Sequence, residues 1–202
     1  MCRQPTAWER VVEFHGHECP GLAVGYRAAQ VGMRVLGAEH TRDEEIVVIA
    51  ETESCGVDAI QVLTGCTVGK GNLILRDNGK NVFTFLRRGD GTGVRVALRY
   101  GAAGRDGDPV LFEKVWSGTA TAQEQEAYRR ERAQRIAYIL EAPEGELFAV
   151  RQVREQLPPP ARIFRSVQCE MCGEGVMEPR ARLMDGKVVC PECFRPYPPR
   201  WM

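Results

Sequence analysis

The sequence of 202 residues contains no run of eighteen apolar residues, so no segment is expected to span a bilayer. It also lacks an excess of charge. Lys plus Arg and Asp plus Glu are 27 each, which removes the global electrostatic footprint of a nucleic-acid or anionic-membrane binder. No secretory pattern opens the chain: Met1 to Trp8 is polar and carries Pro5. No internal repeat is visible. Histidine is scarce, with three residues, yet two of them fall in one tripeptide. What is present is an apolar fraction of 44%, enough for a real core, and eight cysteines. Four of those cysteines sit in two close pairs near the C-terminus. With no export signal, a reducing cytoplasmic compartment and metal ligation account for them better than a disulfide framework.

The pattern along the chain predicts an α+β core, with an antiparallel sheet packed with helices on one side. A first helix follows Pro5. A second begins near Pro20, where the missing amide proton is no loss, and runs through Tyr26, Ala29, Met33 and Leu36 to Gly37. Residues 46–51 read as a buried strand, 57–63 as a short helix stopped by Gly65, and 73–75 as a short extended piece. Residues 81–87 and 94–100 read as an antiparallel pair. Residues 101–109 read as a flexible connection. Residues 123–140 are expected to be helical, with Tyr128, Ile136, Ala137 and Leu140 as the apolar stripe, and 144–157 to form another short helix. Pro158-Pro159-Pro160 is a stiff spacer. The expected organisation is a core domain at 1–157, a linker at 158–164 and a four-cysteine domain at 165–202.

The tail carries the strongest motif: Cys169-x2-Cys172, seventeen residues, then Cys190-x2-Cys193. Two intervening residues let a tight knuckle aim both sulfurs at one ion, and Gly173 supplies the left-handed position such knuckles use. A closed four-sulfur site suits structural zinc; rubredoxin-like iron and a redox dithiol are the competing chemistries. A hairpin is expected around Asp185-Gly186. The segment has too few apolar residues to fold without the ion. Beyond Ala161 it carries seven basic and five acidic residues, a net charge too small to be a nucleic-acid footprint. The few proline-rich residues after Cys193 leave no room for a groove-reading helix. Arg195, Arg200 and Trp201 remain as candidate partner contacts.

A second constellation lies in the core. His15, His17 and Cys19 offer three ligand atoms within five residues, next to a helix N-terminus that favours a thiolate. Cys55 follows the first strand and Cys66 closes the helix after it. If these loops converge, they could surround a divalent ion, with Glu18, Glu51, Glu53 and Asp58 as neighbouring carboxylates. The competing reading is a packed cluster of small apolar side chains. The loop 65–72 fails as a phosphate loop, because three residues separate Gly65 from Gly69 and Gly71 stands where Ser or Thr should be. Its amides, with Lys70 and Asn72, remain a candidate cradle for an anion or cofactor tail; a glycine-rich crossover packed on the sheet reads equally well.

Several stretches together resemble one family: Phe14-His15-Gly16-His17-Glu18-Cys19-Pro20-Gly21, Gly25-Tyr26-Arg27, the run from Glu51 through Cys55-Gly56-Val57-Asp58 to Gln61, Thr64-Gly65-Cys66 through Asn72, and the strand ending at Phe85. The family is FmdE, that of a small component of formylmethanofuran dehydrogenase and its stand-alone bacterial and archaeal relatives. The four-cysteine tail resembles the treble-clef zinc finger that many members append. The resemblance implies an α+β core paired as a homodimer, with a metal near His17, Cys55 and Cys66; His15 and Cys19 are the looser carry-overs. It also implies a link to a partner metalloenzyme of the molybdenum or tungsten class. The chain shows neither a pterin fold nor a cluster-rich cysteine run, so it is not expected to be the catalytic component. Two functions are expected to compete: a metal-binding accessory protein, and a small metal- or thiol-dependent enzyme.

Overall fold

The computed structural model describes residues 3–104, 107–157 and 159–198. Pro158, Arg200 and Trp201 therefore lie outside the described residues. The chain divides into two compact units, Met1–Pro160 and Ala161–Met202.

The first unit opens with α1 (Ala7–His15), started by a capping box in which Thr6 and Glu9 satisfy each other's backbone amides. Gly16, at φ 90°, stops it in the left-handed region. Three residues later Cys19 caps α2 (Pro20–Leu36), with Pro20 in the first turn. Then come β1 (Ile46–Ala50), α3 (Gly56–Thr64), β2 (Leu73–Leu75), β3 (Val82–Arg87) and β4 (Thr92–Leu98). The unit closes with α4 (Pro109–Trp116), α5 (Ala122–Glu141), the single turn α6 (Glu144–Leu147) and β5 (Phe148–Arg154). Among the described residues no helix is long and apolar enough to cross a membrane.

The sheet runs β2-β1-β3-β4-β5. Three of its pairings are antiparallel, but β1 and β2 run parallel, so the sheet is mixed at that edge. The parallel pair follows from α3, which carries the chain over from β1 to β2. Alternation sorts the strands: Val48, Phe83, Phe85, Val94 and Val96 join the α2-side core, whereas Val47, Ile49 and Leu86 face the other way. Helix α2 lies close on the sheet because Gly32 has no side chain; a Cβ there would fall 2.3 Å from the Phe85 ring. It crosses α3 through Gly25, where a Cβ would fall 2.2 Å from the Gly56 carbonyl oxygen. This crossing brings the N-termini of α2 and α3 side by side.

Two expectations need correction. Residues 148–154, expected to be helical, form β5; only the first turn survives, as α6. The edge of β4 takes the segment in seven register pairs, from Leu98↔Phe148 to Thr92↔Arg154, and Val150 and Val153 suit a pleated surface. The stretch from Pro109 is not simply the end of a flexible connection either: Asp108 caps Val110, Pro109 fills the first turn, and α4 follows. In α5 the stripe is carried by Ile136 and Ile139, while Ala137 is exposed. Arg27 of α2 donates to the Leu140 and Ala142 carbonyls at 2.6 and 2.8 Å, satisfying groups at the C-terminus of α5.

Lys114 of α4 pairs with Glu124 in the capping box of α5. The lysine and the Thr121 amide and hydroxyl bring the Glu124 carboxyl down to about 2 from the usual 4.5. A depressed carboxylate stabilises the folded state above its unfolded pKa. This contribution is therefore expected whole above about pH 4.5 and to fade as pH falls toward about 2. Carboxyl-carbon NMR should show the low midpoint, and Glu124→Gln should remove the corresponding pH dependence of amide protection in the first turn of α5.

The second unit holds two ribbons, β6 (Ser166–Gln168) with β7 (Gly175–Met177), and β8 (Arg182–Met184) with β9 (Lys187–Val189). A 3-10 turn, Glu178–Arg180, separates them. Asp185 and Gly186, at φ 50° and 77°, make the tight β8–β9 turn expected from the sequence.

Candidate metal centres

In the second unit the ligand atoms of Cys169, Cys172, Cys190 and Cys193 all lie within 4.8 Å of one another. Gly173, at φ 81°, turns the first knuckle, and its N–H donates to the Cys169 carbonyl at 2.8 Å. The Cys190 N–H donates to Cys169 Sγ at 3.3 Å. Backbone amides of Cys172 and Cys190 pull the Cys169 thiol down to about 6. The Cys193 thiol goes the other way, pushed up to about 12 by its hydrogen bond with Cys190 and by burial. Four sulfurs this close do not all ionise unaided; a divalent cation at their centre lets each give up its proton. The closed tetrathiol set fits zinc.

In the first unit α1 ends in His15, the left-handed Gly16 turns the chain, and Cys19 begins α2. This path brings the ligand atoms of His15, His17 and Cys19 within 4.8 Å of one another. The two imidazoles lie against each other, with centroids 4.5 Å apart. His15 Nδ1 is 2.7 Å from Asp58 Oδ2, and Gln61 Nε2 donates to Asp58 Oδ1 at 3.3 Å. With the proton on Nδ1, His15 donates to the carboxylate and turns Nε2 toward Cys19 Sγ, 3.9 Å away. Carboxylate–imidazole pairs of this kind orient metal-ligating histidines. Loss of solvent around the ring, then His15 and Arg132, lower the pKa of His17 and favour its neutral, ligating form.

Cys19 Sγ also accepts the Leu22 N–H at 3.3 Å. Cys55 occupies the N-cap position of α3 without a side-chain capping bond, packed in the same cluster as Cys19 and Leu22. Burial first, and then Cys19, push its thiol up. The ligands of a tetrahedral zinc ion stand roughly 3.3–3.8 Å apart, given bonds of about 2.0–2.3 Å. The His15–His17–Cys19 group is within a small adjustment of that spacing, and a two-nitrogen, two-sulfur set completed by Cys55 fits the same ion.

Other expected site residues are placed elsewhere. Cys66 follows the far end of α3, about 13 Å along the helix from Cys55 at roughly 1.5 Å per residue. It is fully buried, and its thiol, pushed up by burial, donates to the Ile46 carbonyl at 3.4 Å. The structure thus does not bring Cys66 to the group. Asn72 is also fully buried; its amide donates to Asp43 and Ile46 and accepts from Thr67, which spends it on fastening the loop to β1. Lys70 reaches the Arg42 carbonyl at 3.5 Å. Glu51 pairs with Arg95, and Glu18 accepts from the Trp8 indole at 3.2 Å.

A cavity of about 1200 Å³ opens beside the core group, lined by His17, Cys19 and Cys55 and, from α4 and α5, by Phe112, Trp116 and Tyr128. The aromatic side of this cavity is not legible in the sequence; the Asp108-Pro109 capping signal is the available clue to α4.

Residues 14–149 match the family model described as FmdE, molybdenum formylmethanofuran dehydrogenase operon, and residues 162–199 match that of the prokaryotic dksA/traR C4-type zinc finger. A protein of Archaeoglobus fulgidus named "Probable S-adenosyl-L-methionine-binding protein" is 37% identical over 196 residues, 93% of this chain and 52% of that protein. The chain thus spans about half the length of this curated relative. A crystal structure of an FmdE-like protein of the tungsten formylmethanofuran dehydrogenase type, from Syntrophus aciditrophicus, shares the fold. Its TM-score is 0.63 at 21% identity, covering 92% of this chain and 88% of that one.

Proposed function

The chain belongs to the FmdE family, and from that premise we propose that it is a metal-binding accessory protein, with a divalent ion held in the core by His15, His17, Cys19 and Cys55 and structural zinc in the tail. The observation that carries this reading is the Asp58–His15–Cys19 line. A carboxylate at 2.7 Å fixes one face of an imidazole whose other nitrogen looks into a three-ligand cluster. The bound ion would supply Lewis acidity or a docking point for a metallocofactor. The chain's own residues orient the imidazole, keep a thiol at a helix end and shield the site with the body of α2 and α3.

Elemental analysis of the purified protein is expected to give two ions per chain, falling to one in His15→Ala and in Cys19→Ser. Asp58→Asn should lower core affinity by about 10–100-fold while the tail ion stays. One ion per chain in the wild-type protein, unchanged by these substitutions, removes the core site. We include in the reading a cytoplasmic protein, paired as a homodimer and serving a partner metalloenzyme; a monomer in light scattering at micromolar concentration eliminates the pairing.

A second reading, a small metal- or thiol-dependent enzyme, is favoured by one observation: the core group does not face a closed interior but borders the 1200 Å³ cavity. An ion with an open position there could polarise a substrate or water, with Asp58 and Glu18 as nearby carboxylates.

A further inference from the structure

One wall of the cavity has no part in the metal chemistry. Helix α4 is apolar in sequence yet buries none of its residues; Trp116 is 83% and Phe112 49% exposed. Their rings stack on each other at 5.9 Å and 21°, and Phe112 meets Tyr128 of α5 at 6.4 Å and 51°. Three rings from two helices thus form a slab along one side of a cavity whose other side carries His17, Cys19 and Cys55. The slab is held in register with the ligand loop, because Arg132 of α5 donates to the Glu18 carbonyl at 2.8 Å. Stacked aromatic faces left in water beside an enclosed volume mark a ligand surface more often than a packing remnant. Rings are also the shape such a slab accepts, because offset stacking rewards a flat partner over an aliphatic one.

We propose that this cavity binds a planar heteroaromatic small molecule, its ring against Phe112, Trp116 and Tyr128 and its polar edge toward His17 and Cys19. The ring contact stands on the wall alone; only the role of the polar edge rests on the core-ion reading above.

Two probes separate the parts: quinoline-2-carboxylate, flat with a nitrogen and a carboxylate on one edge, and naphthalene-2-carboxylate, the same shape without the nitrogen. Binding to the full chain is followed by ligand-observed NMR, with the metal content measured on the same samples. Saturable binding of the quinoline with Kd below about 1 mM is expected, weakened about tenfold or more in Trp116→Leu and Phe112→Leu with the ion count unchanged. The naphthalene probe should bind more weakly to the two-ion protein. If the protein carries one ion, the core-metal reading fails; equal affinities of the two probes that still depend on Trp116 then uphold the cavity site. Absence of saturable binding to about 1 mM, or binding undiminished in both variants, overturns the proposal. So does a result in which these variants dissociate a dimer without changing probe affinity, since the slab is then a contact between two copies of the chain.

Discussion

Removing the tail ion with a strong chelator is expected to erase amide protection across residues 161–198 while leaving that of β1, β3 and α2 intact. The second unit has almost no core to fall back on. Cys169, Val189 and Cys190 are its buried apolar cluster, and two of these three are ligands. Leu183 is 72% and Met177 45% exposed. A module of this size normally needs a metal or disulfides to fold. Zinc ligation in comparable peptides supplies about 10–16 kcal/mol of apparent binding free energy, far more than so few apolar contacts. Cys172→Ser should act in the same direction. Hydrogen exchange read by mass spectrometry decides the matter: protection that persists without the ion means the ribbons hold themselves.

Gly25→Ala should be the most damaging single-methyl addition in the first unit. The new Cβ would sit 2.2 Å from the Gly56 carbonyl oxygen and 2.3 Å from the Gly56 Cα, both backbone atoms that no rotamer change can withdraw. Helix α3 must shift, and it carries Cys55 and Asp58 with it. A loss of about 3 kcal/mol or more is expected, at the top of the range for overpacking. Alongside it, the ion count should drop to the tail ion alone. Gly21→Ala is the control. Its Cβ would meet Cys55 Cβ at 3.6 Å, an ordinary contact, so stability within about 1 kcal/mol of the parent is expected. Urea denaturation with elemental analysis reads both. If Gly25→Ala keeps two ions and its stability, the crossing is not what assembles the site.

These results bear on how far a sequence can be read. The α2 periodicity, the Gly37 and Gly65 stops, the Asp185-Gly186 turn and the double knuckle are local signals, written within a few residues, and the structure carries all of them. The identity of β5 is not local. Residues 148–154 read as a helix in isolation, and only the free edge of β4, about fifty residues earlier, makes them a strand. The core group shows the same divide. His15, His17 and Cys19 are readable as neighbours because three ligands fall within five residues. Placing Cys66 requires knowing that the whole of α3 separates it from Cys55. Asn72 is a further candidate that the fold reassigns, since its full burial and three hydrogen bonds are invisible in a glycine-rich loop. Nothing in the charge or hydropathy pattern announces that α4 and α5 present three rings to one cavity.

Cys19 occupies two roles with one atom. Its sulfur looks toward His15 and also accepts the Leu22 amide that starts the longest buried helix. Serine at this position would keep the cap and surrender the soft donor; alanine would forfeit both, the cap alone being worth about 0.5–2 kcal/mol. An oxidant reaching that sulfur would accordingly do more than evict an ion. It would loosen the helix that underlies the sheet, so that damage at the rim is transmitted as strain through the middle of the fold.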